Sequence, residues 1–103
     1  MGGLLFRGFN LKEYEGKVEL ICGPKIISVS IKIHKNFYPR YVILNNFIPN
    51  DSISCERWLE KNVLGNIVYF YPNRTNRLGQ FIADVECNGF DVAQELIKQG
   101  FGE

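Results

Sequence analysis

Lys32, His34, Lys35 and Arg40 lie close together in the chain, interleaved with Phe37, Tyr38 and Tyr41. Cationic side chains of this kind contact phosphates, and the rings offer unpaired bases a surface on which to stack. Arg74 and Arg77 form a second basic pair inside the polar run Arg74-Thr75-Asn76-Arg77-Leu78-Gly79-Gln80, which reads as a loop able to add phosphate contacts. The chemistry these residues could do is binding of single-stranded RNA or DNA. A plainer reading of the same residues packs Tyr41 in a core and leaves the lysines solvating a strand edge.

Other reactive side chains do not group. Cys22, Cys55, Cys87 and His34 are scattered, with no Cys-x-x-Cys pair, so a zinc site would need the fold to gather them by coincidence. Three cysteines cannot all be paired, and reduced, largely buried thiols suit an intracellular protein, cytoplasmic or nuclear. Cys55 has no histidine near it in sequence and lies on an apolar helical stripe, which reads as core rather than as a nucleophile. Nothing resembles a phosphate-cradling loop or a dinucleotide fingerprint, and no metal or cofactor is implied.

At 103 residues the chain is long enough for one domain, and 46% apolar residues suffice for its core. The formal net charge of +1 gives no global pull toward nucleic acid or an anionic membrane. Its distribution is less even: residues 1–50 carry seven Lys/Arg against three Glu, and residues 51–103 five against eight acids. The first half could build a basic face, although solvated strand edges also carry lysine. The apolar run Leu4-Leu5-Phe6 is too short for a signal peptide or a membrane span.

These residues need a scaffold to position them. Residues 1–16 lack clear periodicity and read as an N-terminal extension, with the domain running from 17 to 103. From Lys17 the pattern alternates, placing Val18, Leu20 and Cys22 on one face of a strand. Ile27, Val29, Ile31 and Ile33 share a face of the next, with Ser28, Ser30, Lys32 and His34 on the polar side. Asn36-Phe37-Tyr38-Pro39 has turn composition, and Tyr41 to Asn45 completes a meander. Asp51 can start a helix carrying Cys55, Trp58, Leu59 and Val63, which Gly65 ends. Ile67 to Tyr71 and Gln80 to Cys87 read as further strands, Asn88-Gly89 as a type I′ turn, and Asp91 as the cap of a last helix stopped by Gly100. The resulting expectation is a β-rich α+β fold, a five-stranded OB-type barrel with two or three short helices.

The run from Arg74 to Val85, with Asn88-Gly89 and the segment Val92 to Gly100, resembles the C-terminal half of the staphylococcal nuclease-like family. The resemblance extends over roughly residues 17–101 and is most specific from Ile67 onward. It implies a nuclease-shaped barrel whose catalytic positions are empty. Where the family carries Asp-Gly-Asp-Thr, this chain has Cys22-Gly23-Pro24-Lys25. Where it carries Arg-Leu-x-x-x-Asp-x-Pro-Glu, the residues here are Val42 to Asn50, with Val42 for the first arginine, Phe47 for a metal ligand and Asn50 for the general base. Gln80 takes the place of the second arginine. Metal-assisted phosphodiester hydrolysis needs carboxylates to hold a hard cation, a base for water and cations for the developing charge. Pro24, Val42, Phe47, Asn50 and Gln80 supply none of these.

The resemblance thus implies a pseudoenzyme, similar to the degenerate nuclease-like domains of Tudor–staphylococcal-nuclease proteins. One expectation is contact with single-stranded nucleic acid through Lys32, His34, Lys35, Arg40, Tyr41, Arg74 and Arg77. The alternative is a protein-interaction or scaffolding domain in which Phe47 and Ile48 offer an apolar surface, although Phe47 also reads as a plug for the vacated pocket. A residual calcium-dependent nuclease would require Asp51 and Glu56 to act as base or ligand. Both are better explained as first-turn acids favoured by the helix dipole.

Overall fold

The computed structural model describes residues 13–103. Its strands are β1 (Tyr14–Ile21), β2 (Ile26–Ile33), β3 (Asn36–Leu44), β4 (Ile67–Thr75), β5 (Phe81–Cys87) and β6 (Phe90–Asp91); its helices are α1 (Ser52–Asn62) and α2 (Val92–Lys98). The sheet runs β3-β2-β1-β4-β5-β6, and a parallel pairing of β3 with β5 closes five of the strands into a barrel. This is an OB-type barrel with one extra short strand, and among the described residues it carries two helices. The first strand begins at Tyr14 rather than Lys17, so only residues 1–12 of the expected extension lie outside the described residues.

Alternation explains β2 directly. Ile27, Val29 and Ile31 are buried, and Ser28, Ser30 and Lys32 take the other side. In β1 the alternation breaks. Val18 pairs with Val29 but Leu20 with Ser28, so Glu19 is an extra residue and the strand bulges there. The bulge moves Ile21 onto the core and leaves Leu20 61% exposed, which corrects the expectation that Val18, Leu20 and Cys22 share a face.

The β2–β3 connection also differs from the sequence reading. Ile33 pairs with Asn36, so the turn is His34-Lys35, with His34 in the left-handed region at φ 59°. Asn36-Phe37-Tyr38-Pro39, the expected turn, is the first half of β3 and pairs with β2 throughout. Only Val42, Ile43 and Leu44 also meet β5. Pro39 is tolerated because its stretch has a sheet neighbour on one side only.

The helix termini follow the sequence closely. The Asp51 carboxylate accepts from the Ser54 amide at 3.0 Å and from the Ser54 hydroxyl at 2.8 Å, opening α1. Cys55, Leu59 and Val63 are buried beneath the barrel, and Gly65 takes φ 83° past the helix end. Asp91 accepts from the Gln94 amide at 2.9 Å, and Gly100 reverses the chain at φ 86°. Between β5 and β6, Asn88 and Gly89 have φ 51° and 84°, as a type I′ turn requires. The last three residues lie back on the β3–α1 connection: Ile48 and Glu103 exchange backbone bonds of 2.7 and 2.9 Å, and the Asn50 amide donates to Phe101 at 3.0 Å.

Candidate nucleic-acid interface

Strand register determines which predicted residues meet. Because Ile27, Val29 and Ile31 point inward, their neighbours Ser28, Ser30 and Lys32 point out, as do their cross-strand partners Tyr41, Pro39 and Phe37. On the same outer face β1 contributes Lys17, opposite Ser30, and Glu15, opposite Tyr69; β4 contributes Ile67, opposite Lys17, and Tyr69. Three rings stand in solvent on this face, with Phe37 65%, Tyr41 49% and Tyr69 39% exposed. Tyr41 is therefore not a core residue. The Lys32 ammonium lies 5.9 Å from the centroid of the Phe37 ring, at the outer limit of a cation–π contact. Between them runs a groove of about 210 Å³ lined by Glu15, Gly16, Lys17, Ser30, Lys32, Phe37 and Ile67.

The remaining predicted residues are distributed differently. His34 and Lys35 form the tip of the β2–β3 hairpin, so His34 is not on the polar face of a strand. Arg40 pairs with Val29 and Tyr38 with Ile31, which puts both on the inward side of β3. They remain exposed because β5 does not extend to cover that part of the hairpin. The Arg40 guanidinium donates to the Pro39 carbonyl at 3.2 Å. Arg74 is in β4 rather than in a loop, opposite Ile82 and just past a bulge, and β5 separates it from the strand of Tyr41. Arg77 is in the tight turn that Asn76 organises. The Asn76 side chain accepts from the Leu78 and Gln80 amides at 3.0 Å each and donates to the Gln80 side chain at 2.8 Å. Lys32 and Tyr41 thus share a surface, whereas Arg40 and Arg74 do not join them there. Glu15 and Lys17 were missed in the sequence because the strand was expected to begin only at Lys17, and Tyr69 because Ile67 to Tyr71 is apolar on both sides.

The positions matched to the nuclease motif fall into two groups. Val42 is fully buried inside the barrel and Phe47 is 1% exposed. A guanidinium at position 42 would point into the core and could not reach a phosphate, whereas its neighbour Tyr41 faces out. Phe47 is a plug and offers no apolar surface. A Cβ on Gly102 would overlap its ring, so the C-terminal segment closes over it. Pro24 is half-buried, Asn50 is exposed, and Gln80 is engaged by Asn76. The Lys25 ammonium donates to the Phe47 carbonyl at 2.7 Å, tying the β1–β2 loop to this segment. Among the described residues, no three His, Cys, Asp or Glu side chains group so as to hold a metal ion.

Charge divides across the outer surface. Bordering the basic and aromatic face, where Glu86 pairs with Tyr69, Asp84, Glu86 and Asp91 surround a shallow pocket of about 340 Å³ together with Tyr71. Ser54 holds the Asp51 carboxylate below its ordinary range, while burial pushes the Cys55 and Cys87 thiols up. Cys22 is exposed, and all three cysteines are free. No helix among the described residues is long and apolar enough to cross a membrane.

The fold and face define the class as an OB-type barrel with an aromatic, lysine-bearing outer sheet. Set against known proteins, the sequence matches no family model and no curated protein.

Proposed function

We propose that this chain is a non-catalytic OB-type module that binds single-stranded nucleic acid on the outer face of β1–β3. The observation that carries the reading is the pairing of Lys32 with the exposed Phe37 ring, flanked by Tyr41 and Lys17. Strands two and three form the face on which OB-folds commonly hold oligonucleotides. A large ring left in solvent on that face is unexplained by packing and suited to a base. Support for the absence of catalysis comes from Pro24, Val42, Phe47, Asn50 and Gln80, none of which can serve as base, carboxylate ligand or charge-neutralising cation. The free cysteines fit a reducing, intracellular compartment.

The scaffolding alternative drew on Phe47 and Ile48 as an apolar patch. With Phe47 buried, that pair presents only Ile48, at 66% exposure, and the surface it was to form with Phe47 does not exist.

The test is a fluorescence-anisotropy titration against labelled single-stranded RNA and DNA, with and without calcium, at low and moderate salt. Salt-sensitive binding without cleavage is expected, weakened in the Lys32→Ala/Lys35→Ala double variant. Phe37→Ala should cost about 1–3 kcal/mol of affinity if one base stacks on the ring. Calcium-dependent cutting would overturn the non-catalytic reading, and absence of binding at low salt would overturn the nucleic-acid reading.

A further inference from the structure

We infer that the groove between β1, β2 and β4 is a subsite for one unpaired guanine, an inference that rests on the nucleic-acid reading above. At about 210 Å³ it is smaller than the roughly 300–1,000 Å³ of most small-molecule pockets, and it has room for one planar ring system. Its walls are chemically unequal. Phe37 and Ile67 supply apolar contact, Lys17 and Lys32 are cationic, and Glu15 is the one carboxylate lining the groove. Among the described residues Glu15 makes no ion pair, so its oxygens are available to a ligand.

An ionised carboxylate only accepts hydrogen bonds. Guanine is the base whose Watson–Crick edge presents two adjacent donors, N1–H and the N2 amino group, and both can donate to one carboxylate. Adenine and cytosine present a single amino group beside a ring-nitrogen acceptor. Uracil presents one N–H between two carbonyl oxygens, which a carboxylate repels. With the guanine edge on Glu15, its ring lies against Phe37 and the flanking phosphates meet Lys17 and Lys32. The carboxylate that looks misplaced on a phosphate-binding surface then reads the base, while the lysines hold the backbone.

The experiment titrates the full chain into a short labelled oligouridylate and into versions with one central G, A or C. The G version is expected to bind about tenfold tighter than the others, the discrimination of one good bidentate contact. Glu15→Gln should abolish that advantage while leaving the affinity for plain oligouridylate equal or higher, since a negative charge is removed. Phe37→Ala should weaken binding to all four. Glu15 is exposed, and an unchanged melting temperature for Glu15→Gln separates recognition from stability. Equal affinity for all four oligomers, or a G preference that survives in Glu15→Gln, overturns the guanine subsite while leaving nucleic-acid binding in place. Absence of binding to any oligomer overturns both inferences and favours a protein ligand.

Discussion

Gly16 leaves no room for a side chain. A Cβ there would stand 2.5 Å from Val29 Cγ1 and 2.7 Å from the Ser30 oxygen, so β1 must approach β2 as bare backbone. Gly16→Ala is expected to destabilise the fold by about 1–3 kcal/mol through overpacking, read as a lower urea midpoint at unchanged slope. Asp51 gives a pH-dependent prediction. Its carboxylate lies below the ordinary value of 3.8 because the Ser54 amide and hydroxyl donate to it. The unfolded chain therefore binds the proton first as pH falls. The stabilisation is fully present above the ordinary carboxylate pKa and is lost as pH drops through the lower folded value. Asp51→Ala should melt below the parent at neutral pH, with the gap narrowing under acid conditions. Both helix caps were legible in the sequence because an N-cap bond spans only three residues. The His34-Lys35 turn was not, since neither residue advertises a left-handed backbone, whereas Asn36 and Pro39 carry turn composition while lying in a strand.

Asn76 makes the β4–β5 connection an element in its own right, satisfying two backbone amides and the Gln80 side chain with one amide group. Asn76→Ala leaves the half-buried Gln80 groups unpaired and returns the exposed Leu78 amide to water, and should cost about 0.5–1.5 kcal/mol, with faster amide exchange at Leu78 and Gln80. On α1 and β5, burial raises the pKa of the Cys55 and Cys87 thiols, and both side chains are fully enclosed. A thiol reagent should modify Cys22 alone in the folded protein and all three after denaturation; native labelling of three would contradict the core described here. Strand existence was read correctly wherever a two-residue period persisted, as in β2. The reading failed at Glu19, because a bulge changes the phase of every later side chain without leaving a compositional mark. The outer face of β1–β3 was half legible for the same reason: Lys32 and Tyr41 could be named, but their company depended on cross-strand register.

At the scale of the whole molecule, a net charge of +1 conceals a basic, aromatic face and an acidic one around Asp84, Glu86 and Asp91. If Lys17, Lys32 and Lys35 each meet a phosphate, the affinity should fall with salt at a log–log slope of about −2, from about −0.7 per contact on single strands. A slope near zero would mean that the lysines only solvate the sheet. Barrel closure was legible as a topology, yet its execution was not, since nothing in the sequence shows that only three residue pairs join β3 to β5. That small seam has a consequence for how the chain reaches its native state. Val42 and Phe81 are far apart in sequence, so the closing pair forms only after a long loop has been drawn together, and the entropy of that loop weighs on the folding rate. During synthesis the first three strands and α1 emerge before the partner that seals them. A nascent chain ending short of Phe81 therefore carries Val42 and Leu44 without their β5 partners, and the barrel can shut only once β5 has left the ribosome.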